Sequence, residues 1–126
     1  MKQPEWVLRA VVLALQDLLI AEFGGVAGIR DISTLDSALA RSEHLFTFGF
    51  PSIPELAAAY AFGLIKNHPF VDGNKRIGFA VAATFLEVNG RKLGATEADA
   101  VIQTLALAAG EIDEADYAHW LDSCCA

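Results

Sequence analysis

His68, Asp72, Asn74, Lys75 and Arg76 fall within nine consecutive residues, His68-Pro69-Phe70-Val71-Asp72-Gly73-Asn74-Lys75-Arg76. Each is of a type suited to handling a nucleotide. The imidazole of His68 is the side chain best matched to abstracting a proton near neutral pH. Asp72 offers hard oxygens to a Mg²⁺ ion that keeps waters and phosphate oxygens as its other partners. The amide of Asn74 can donate to a phosphate oxygen, and Lys75 and Arg76 add two cations. Taken singly, His68 could end a helix, Asp72 could cap one and Arg76 could be a surface charge. Gathered in one short stretch, they read as a site.

The elements around this stretch are helical. Pro4–Phe23 places Trp6, Val7, Leu8, Val11, Val12, Leu15, Leu18 and Leu19 at helical spacing, and Gly24-Gly25 stops the run. Ser33 to Glu43 reads as a second helix, with Ser33 as N-cap and Asp36 three positions on. Pro54 opens a third helix that runs to about Asn67. A fourth begins near Asn74 and ends at Asn89-Gly90. Thr96 with Asp99 starts a fifth, Asp113 with Asp116 a sixth, and Gly110 separates them. The third and fourth are apolar on most sides, as expected of the central pair of a bundle. The expected fold is thus all-α, one compact bundle of about six helices spanning residues 1–126 as a single domain.

Pro69 forbids extension of the third helix, and Gly73 permits a turn that other residues resist. Lys75 and Arg76 therefore fall in the first turn of the fourth helix, where the macrodipole disfavours cations. Folding alone asks for neither there. A bound anion explains both, because the free N–H groups of Gly73, Asn74, Lys75 and Arg76 plus two positive side chains make a phosphate cradle. Lys66 to Arg76 holds three basic residues and one acid, a local excess of +2 in a chain of net charge −7. That pattern implies a small anion site and excludes a face built to wrap nucleic acid.

One other stretch breaks the helical pattern. Phe46, Phe48 and Phe50 alternate at period two before Pro51, with Gly49 between. Period two predicts an extended strand or hairpin ahead of the central pair. It could plug its aromatics into the bundle, or expose an edge that pairs with an extended peptide.

The broad composition sets bounds. Apolar residues make up 54% of the 126 and charged residues 20%, too hydrophobic for a disordered chain. The longest runs free of charge or amide, Leu56–Ile65 and Ile77–Leu86, are ten residues each, too short to span a bilayer. Asp17 and Glu22 interrupt the apolar start, which argues against a signal peptide and makes the cytoplasm the expected location. Cys124 and Cys125 are the only cysteines; adjacent as they are, they cannot staple the fold or make a structural zinc site, and they read as free thiols.

His68 to Arg76 resembles the signature of the Fic/Doc family, His-x-Phe-x-Asp/Glu-Gly-Asn-x-Arg, at every fixed position. Glu55 to Gly90 as a whole is similar to the death-on-curing branch, and Gly24 to Ser42 more loosely so. The resemblance implies a Fic-like helical fold and an enzyme that passes part of a nucleoside triphosphate to a protein hydroxyl. It casts His68 as the base on that hydroxyl, Asp72 as the Mg²⁺ ligand, Asn74 and Arg76 as phosphate ligands and Phe70 as a buried anchor of the loop. Phe46, Phe48 and Phe50 fall where relatives carry a flap that aligns the target.

Two departures bear on the reaction. Adenylyl-transferring members usually carry Gly where this chain has Lys75, and a second Arg where it has Phe79. Gly allows close backbone approach to a phosphate, whereas Lys fills the space and adds a charge. Both departures are shared with the death-on-curing toxins, which are understood to pass on the γ-phosphate of ATP; Pro69 and Gly73 are nearer the adenylylating pattern. The first expectation is therefore an ATP- and Mg²⁺-dependent protein kinase, the toxin of a type II toxin–antitoxin pair acting on translation elongation factor Tu. Its partner would be an antitoxin whose C-terminal segment folds into a groove. An adenylyltransferase is the alternative, and a non-catalytic binding module the second.

Overall fold

Four helices open on a side-chain oxygen that accepts a first-turn amide, which fixes where they start. Asp31 accepts from Thr34, Ser52 from Glu55, Thr96 from Asp99 and Asp113 from Asp116. At Ser52 and Asp113 the third residue reaches back to the cap amide, closing a reciprocal box. The computed structural model describes residues 3–126 and contains α1 Arg9–Phe23, α2 Ile32–Phe48, α3 Ile53–Asn67, α4 Asn74–Val88, α5 Glu97–Ala109 and α6 Glu114–Ser123. The expected all-α bundle is present, with no strand among the described residues. None of these helices is long and apolar enough to cross a membrane.

The middle of the bundle is α3, buried almost all round and packed against α2, α4, α5 and α6. Its approach to α4 is close because Gly78 has no side chain. A Cβ there would lie 2.7 Å from Ile65 Cγ1 and 3.2 Å from the Ala61 carbonyl oxygen. Aromatic packing extends the core outward: Phe85 of α4 lies between Tyr60 and Trp6, and Phe79 meets Trp120 of α6. The close α3–α4 pair fixes the geometry of the short loop that joins them.

Three boundaries differ from the sequence expectation. Residues 3–8 are not helical, because Glu5 exchanges hydrogen bonds with the Asn89 amide and the Val7 N–H donates to the Tyr60 hydroxyl. Asp31, not Ser33, caps α2. The expected hairpin at Phe46, Phe48 and Phe50 is absent: α2 continues to Phe48, and Phe50 lies in the link to α3. Residues two apart on a helix sit about 200° apart, so alternation can also mark opposite helix faces. Phe46 turns inward, edge-on to Trp6 at 5.7 Å, while Phe48 and Phe50 are 85% and 102% exposed.

The two thiols are free and half-buried. They lie where the chain end folds back on residues 92–94: Leu93 bridges Cys125, and Gly94 donates to the Cys124 carbonyl.

Candidate active site

The loop between α3 and α4 is fastened from within and from outside. Phe70 is 1% exposed and belongs to the central core. Asn74 sits below it and brackets its peptide group: the Phe70 N–H donates to Asn74 Oδ1 and Asn74 Nδ2 donates to the Phe70 carbonyl, both at 3.0 Å. This side chain thus closes the loop on itself. Gly73 has φ +79°, a left-handed conformation that strains any residue with a Cβ, and α4 then begins.

That start carries no side-chain cap. The amides of Asn74, Lys75 and Arg76 have no intrahelical acceptor, and the first helical bond runs from Ile77 to Gly73. Lys75 and Arg76 are exposed in this turn, as expected, and neither joins an ion pair among the described residues. The Arg76 guanidinium lies over the Phe23 ring, 4.5 Å from its centre, which limits where its charge can go.

On the other side of the loop His68 is the C-cap of α3, with φ +48°. It is the one residue other than glycine with positive φ among those described. Asp72 is exposed at the turn; its Oδ2 accepts the Val26 amide at 2.8 Å, and its carbonyl accepts from Gln16 Nε2 at 2.8 Å. Asp72 Oδ1 has no protein partner among the described residues. Among the described residues, no group of three or more potential metal-ligating side chains surrounds it. That donor set fits a magnesium ion held chiefly by phosphates and water, and does not fit a metal caged by protein.

His68, Asp72, Gly73, Asn74, Lys75 and Arg76 all line one open cleft of about 900 Å³. Its other walls come from α1 at Leu19 and Phe23, from α4 at Phe79 and from α5. The charged end holds a candidate base, the Asp72 carboxylate, two cations and free helix amides; Glu97 of α5 adds a second carboxylate to the lining, and the remainder is largely apolar. Phe79 stands on this cleft without contributing a second arginine. Phe46, Phe48 and Phe50 do not line it, and Phe70 anchors it from beneath.

Three contributors escaped sequence reasoning. Gln16 is 3% exposed beneath Gly73, and its Oε1 has no hydrogen-bond partner among the described residues. Phe23 supports Arg76. Arg30 grips the α3 end through its guanidinium, as Nε meets the His68 carbonyl at 2.6 Å and Nη2 the Asn67 carbonyl at 2.8 Å. Gln16 left a trace, a polar residue one turn after Val12 in an apolar stripe; Arg30 and Phe23 left none.

The sequence model of the Fic/DOC family matches residues 6–86, which hold α1 to most of α4 and the whole loop. A "Toxin Doc" of Mycolicibacterium smegmatis is 43% identical over 86 residues, covering 64% of this chain and 65% of that protein. The "Protein kinase doc" of Escherichia phage P1 is 29% identical over 80 residues, covering 63% of this chain and 64% of that protein. In each case the shared stretch spans just under two thirds of the relative's length. The family match over residues 6–86 includes the buried Phe70, the left-handed Gly73 and the uncapped helix start that carry the site, and by this match the chain belongs to the Fic/DOC family.

Proposed function

We propose that this protein is the toxin of a type II toxin–antitoxin pair and a protein kinase, passing the γ-phosphate of ATP to a hydroxyl of a target protein. The observation that carries the reading is the meeting, in one cleft, of His68 with the uncapped start of α4 and its two exposed cations, Lys75 and Arg76. The amides from Asn74 to Arg76 and the two cationic side chains bind the phosphate chain at the helix start. His68 takes the proton of the attacking hydroxyl. The hydroxyl oxygen bonds to the γ-phosphorus as the bond from that phosphorus to the β–γ bridging oxygen breaks, and ADP leaves. Asp72 would hold Mg²⁺ against the phosphates, and the ion when bound would neutralise their charge.

Lys75 and Phe79 favour the γ-phosphate over adenylyl transfer. Lys75 occupies the approach that adenylylating relatives leave to glycine, and Phe79 offers no clamp for a terminal phosphate. The name of the phage relative supports the same choice. Translation elongation factor Tu is the proposed target, an antitoxin tail in a surface groove the proposed partner, and the cytoplasm the proposed location.

Parallel incubations with ATP labelled at the α or the γ position, together with elongation factor Tu, test the reading. Label retained on the target from the γ position alone is expected. Retention from the α position makes the protein an adenylyltransferase, and retention from neither leaves the non-catalytic alternative.

A further inference from the structure

The strained residue of the site is also its proposed base, and the contacts that hold it come from a distant part of the chain. A helix end leaves its last carbonyls without partners, and a left-handed residue at that end is ordinarily glycine. Here it is His68, and three consecutive carbonyls turn to one side. Arg30 Nη2 donates to Asn67 O at 2.8 Å and Arg30 Nε to His68 O at 2.6 Å. The backbone N–H groups of Arg30 and Asp31 then donate to Pro69 O at 2.7 and 3.2 Å. Ile29 bridges Phe70, and Val71 donates to Gly28 O, so the pairing continues along the loop. With its carbonyl turned toward Arg30, His68 keeps its place on the cleft wall.

We propose that Arg30 is the positioning residue for His68, a fork that holds the α3 end in the left-handed turn from which the imidazole reaches the target hydroxyl; this rests on the base role proposed above. Arg30 forms no ion pair among the described residues, so its charge is committed to the carbonyl end of α3, where the helix dipole is negative. A planar guanidinium can span two successive carbonyls, whereas a lysine ammonium supplies a single point of contact. The phosphate-binding groups lie at the far end of the loop on α4, and the Arg30 guanidinium bonds to none of them. Arg30 therefore governs turnover, and nucleotide affinity is independent of it.

The test compares Arg30→Ala, Arg30→Lys and His68→Ala. Arg30→Ala is expected to lower kcat for γ-phosphate transfer about 10- to 100-fold, the scale of a misplaced reacting group, with the Kd for a non-hydrolysable ATP analogue unchanged. Arg30→Lys should recover part of the rate. In the NMR spectrum of Arg30→Ala, the HN–Hα coupling and Cα shift of His68 should move away from left-handed values. A folded Arg30→Ala with wild-type kcat beside an inactive His68→Ala overturns the positioning role and leaves the base role standing. An active His68→Ala overturns the base role, and the proposal with it, whereas an unaltered His68 coupling in Arg30→Ala overturns the grip by itself. Equal losses of nucleotide affinity and kcat point to general support of the fold and also overturn the proposal. If Arg30→Ala does not fold, Arg30→Lys is read by the same split between kcat and Kd.

Discussion

His68 occupies a backbone conformation that costs an L-residue roughly 1–2 kcal/mol, and nothing in the packing of the bundle requires an imidazole at that exposed position. Strain retained at a reactive side chain gives a direct prediction. His68→Gly should remove the Cβ conflict and, after the entropy glycine adds to the unfolded chain, raise stability by roughly 0.5–1 kcal/mol while abolishing transfer. Melting curves beside the labelled-ATP assay read both effects; a lower melting temperature for His68→Gly would show that the imidazole contributes to the fold. Asp72 allows a similar separation of roles. Because its Oδ2 accepts the Val26 amide, Asp72→Ala confounds a lost hydrogen bond with a lost charge. Asp72→Asn keeps an acceptor for Val26 and removes the negative charge. It should melt close to wild type and lose tenfold or more of its Mg²⁺-dependent affinity for ATP, on the order of 1.4 kcal/mol. Titration with and without Mg²⁺ checks this, and an affinity equal to wild type in Mg²⁺ would remove Asp72 from the metal site.

The start of α4 is where one element decides which phosphate is transferred. If Lys75 fills the approach used in adenylyl transfer, Lys75→Gly should lose γ-label transfer and gain a little α-label transfer. Adding Phe79→Arg should raise the α-label further. Phe79 is half-buried with its ring 6.1 Å from Trp120, so this second change carries a packing cost and melts must accompany the assay. Unchanged γ-transfer in a folded Lys75→Gly would show that Lys75 does not select the phosphate. The cations at this helix start were legible in the sequence because Pro69, Gly73 and the helix pattern lie within a few residues of them. The same locality made the caps at Thr96 and Asp113 readable. Legibility ended where distant segments meet. Arg30 lies 38 residues from His68 and Gln16 lies 56 from Asp72, so no spacing rule connects them. The start of α1 was misplaced for a like reason, since Tyr60 and Asn89 hold residues 5–7 out of the helix. Phe46 and Phe48 misled because period two fits a strand and also the opposite faces of a helix.

At the scale of the whole molecule, two tyrosine hydroxyls join parts of the bundle that share no local sequence. Tyr60 of α3 accepts the Val7 amide ahead of α1, and Tyr117 of α6 shares a 2.9 Å hydrogen bond with Thr104 of α5. Thr104 also lines the cleft, so Tyr117 steadies the α5 wall as well as the core. Burial pushes both phenols up from 10.0 to about 12, outweighing the hydrogen bonds from Val7 and Thr104 that act the other way. The folded state therefore keeps these protons to higher pH than the unfolded chain does. The associated stability is fully present below pH 10 and is lost as pH rises from 10 toward 12, where the unfolded state has already released both protons. At about 1.4 kcal/mol per pH unit per group, the loss reaches roughly 2–3 kcal/mol for each tyrosine, a large part of the stability of a domain this size. The chain has only two tyrosines, so phenolate absorbance follows them directly. Absorbance should stay low in folded protein past pH 10 and rise together with unfolding, and the denaturant midpoint should fall over the same interval. Tyr117→Phe should make that fall shallower while lowering stability near neutrality by about 1–3 kcal/mol, because Thr104 loses its buried partner. Phenolate appearing near pH 10 in protein that remains folded would show that these hydroxyls are open to solvent and do not pin the bundle.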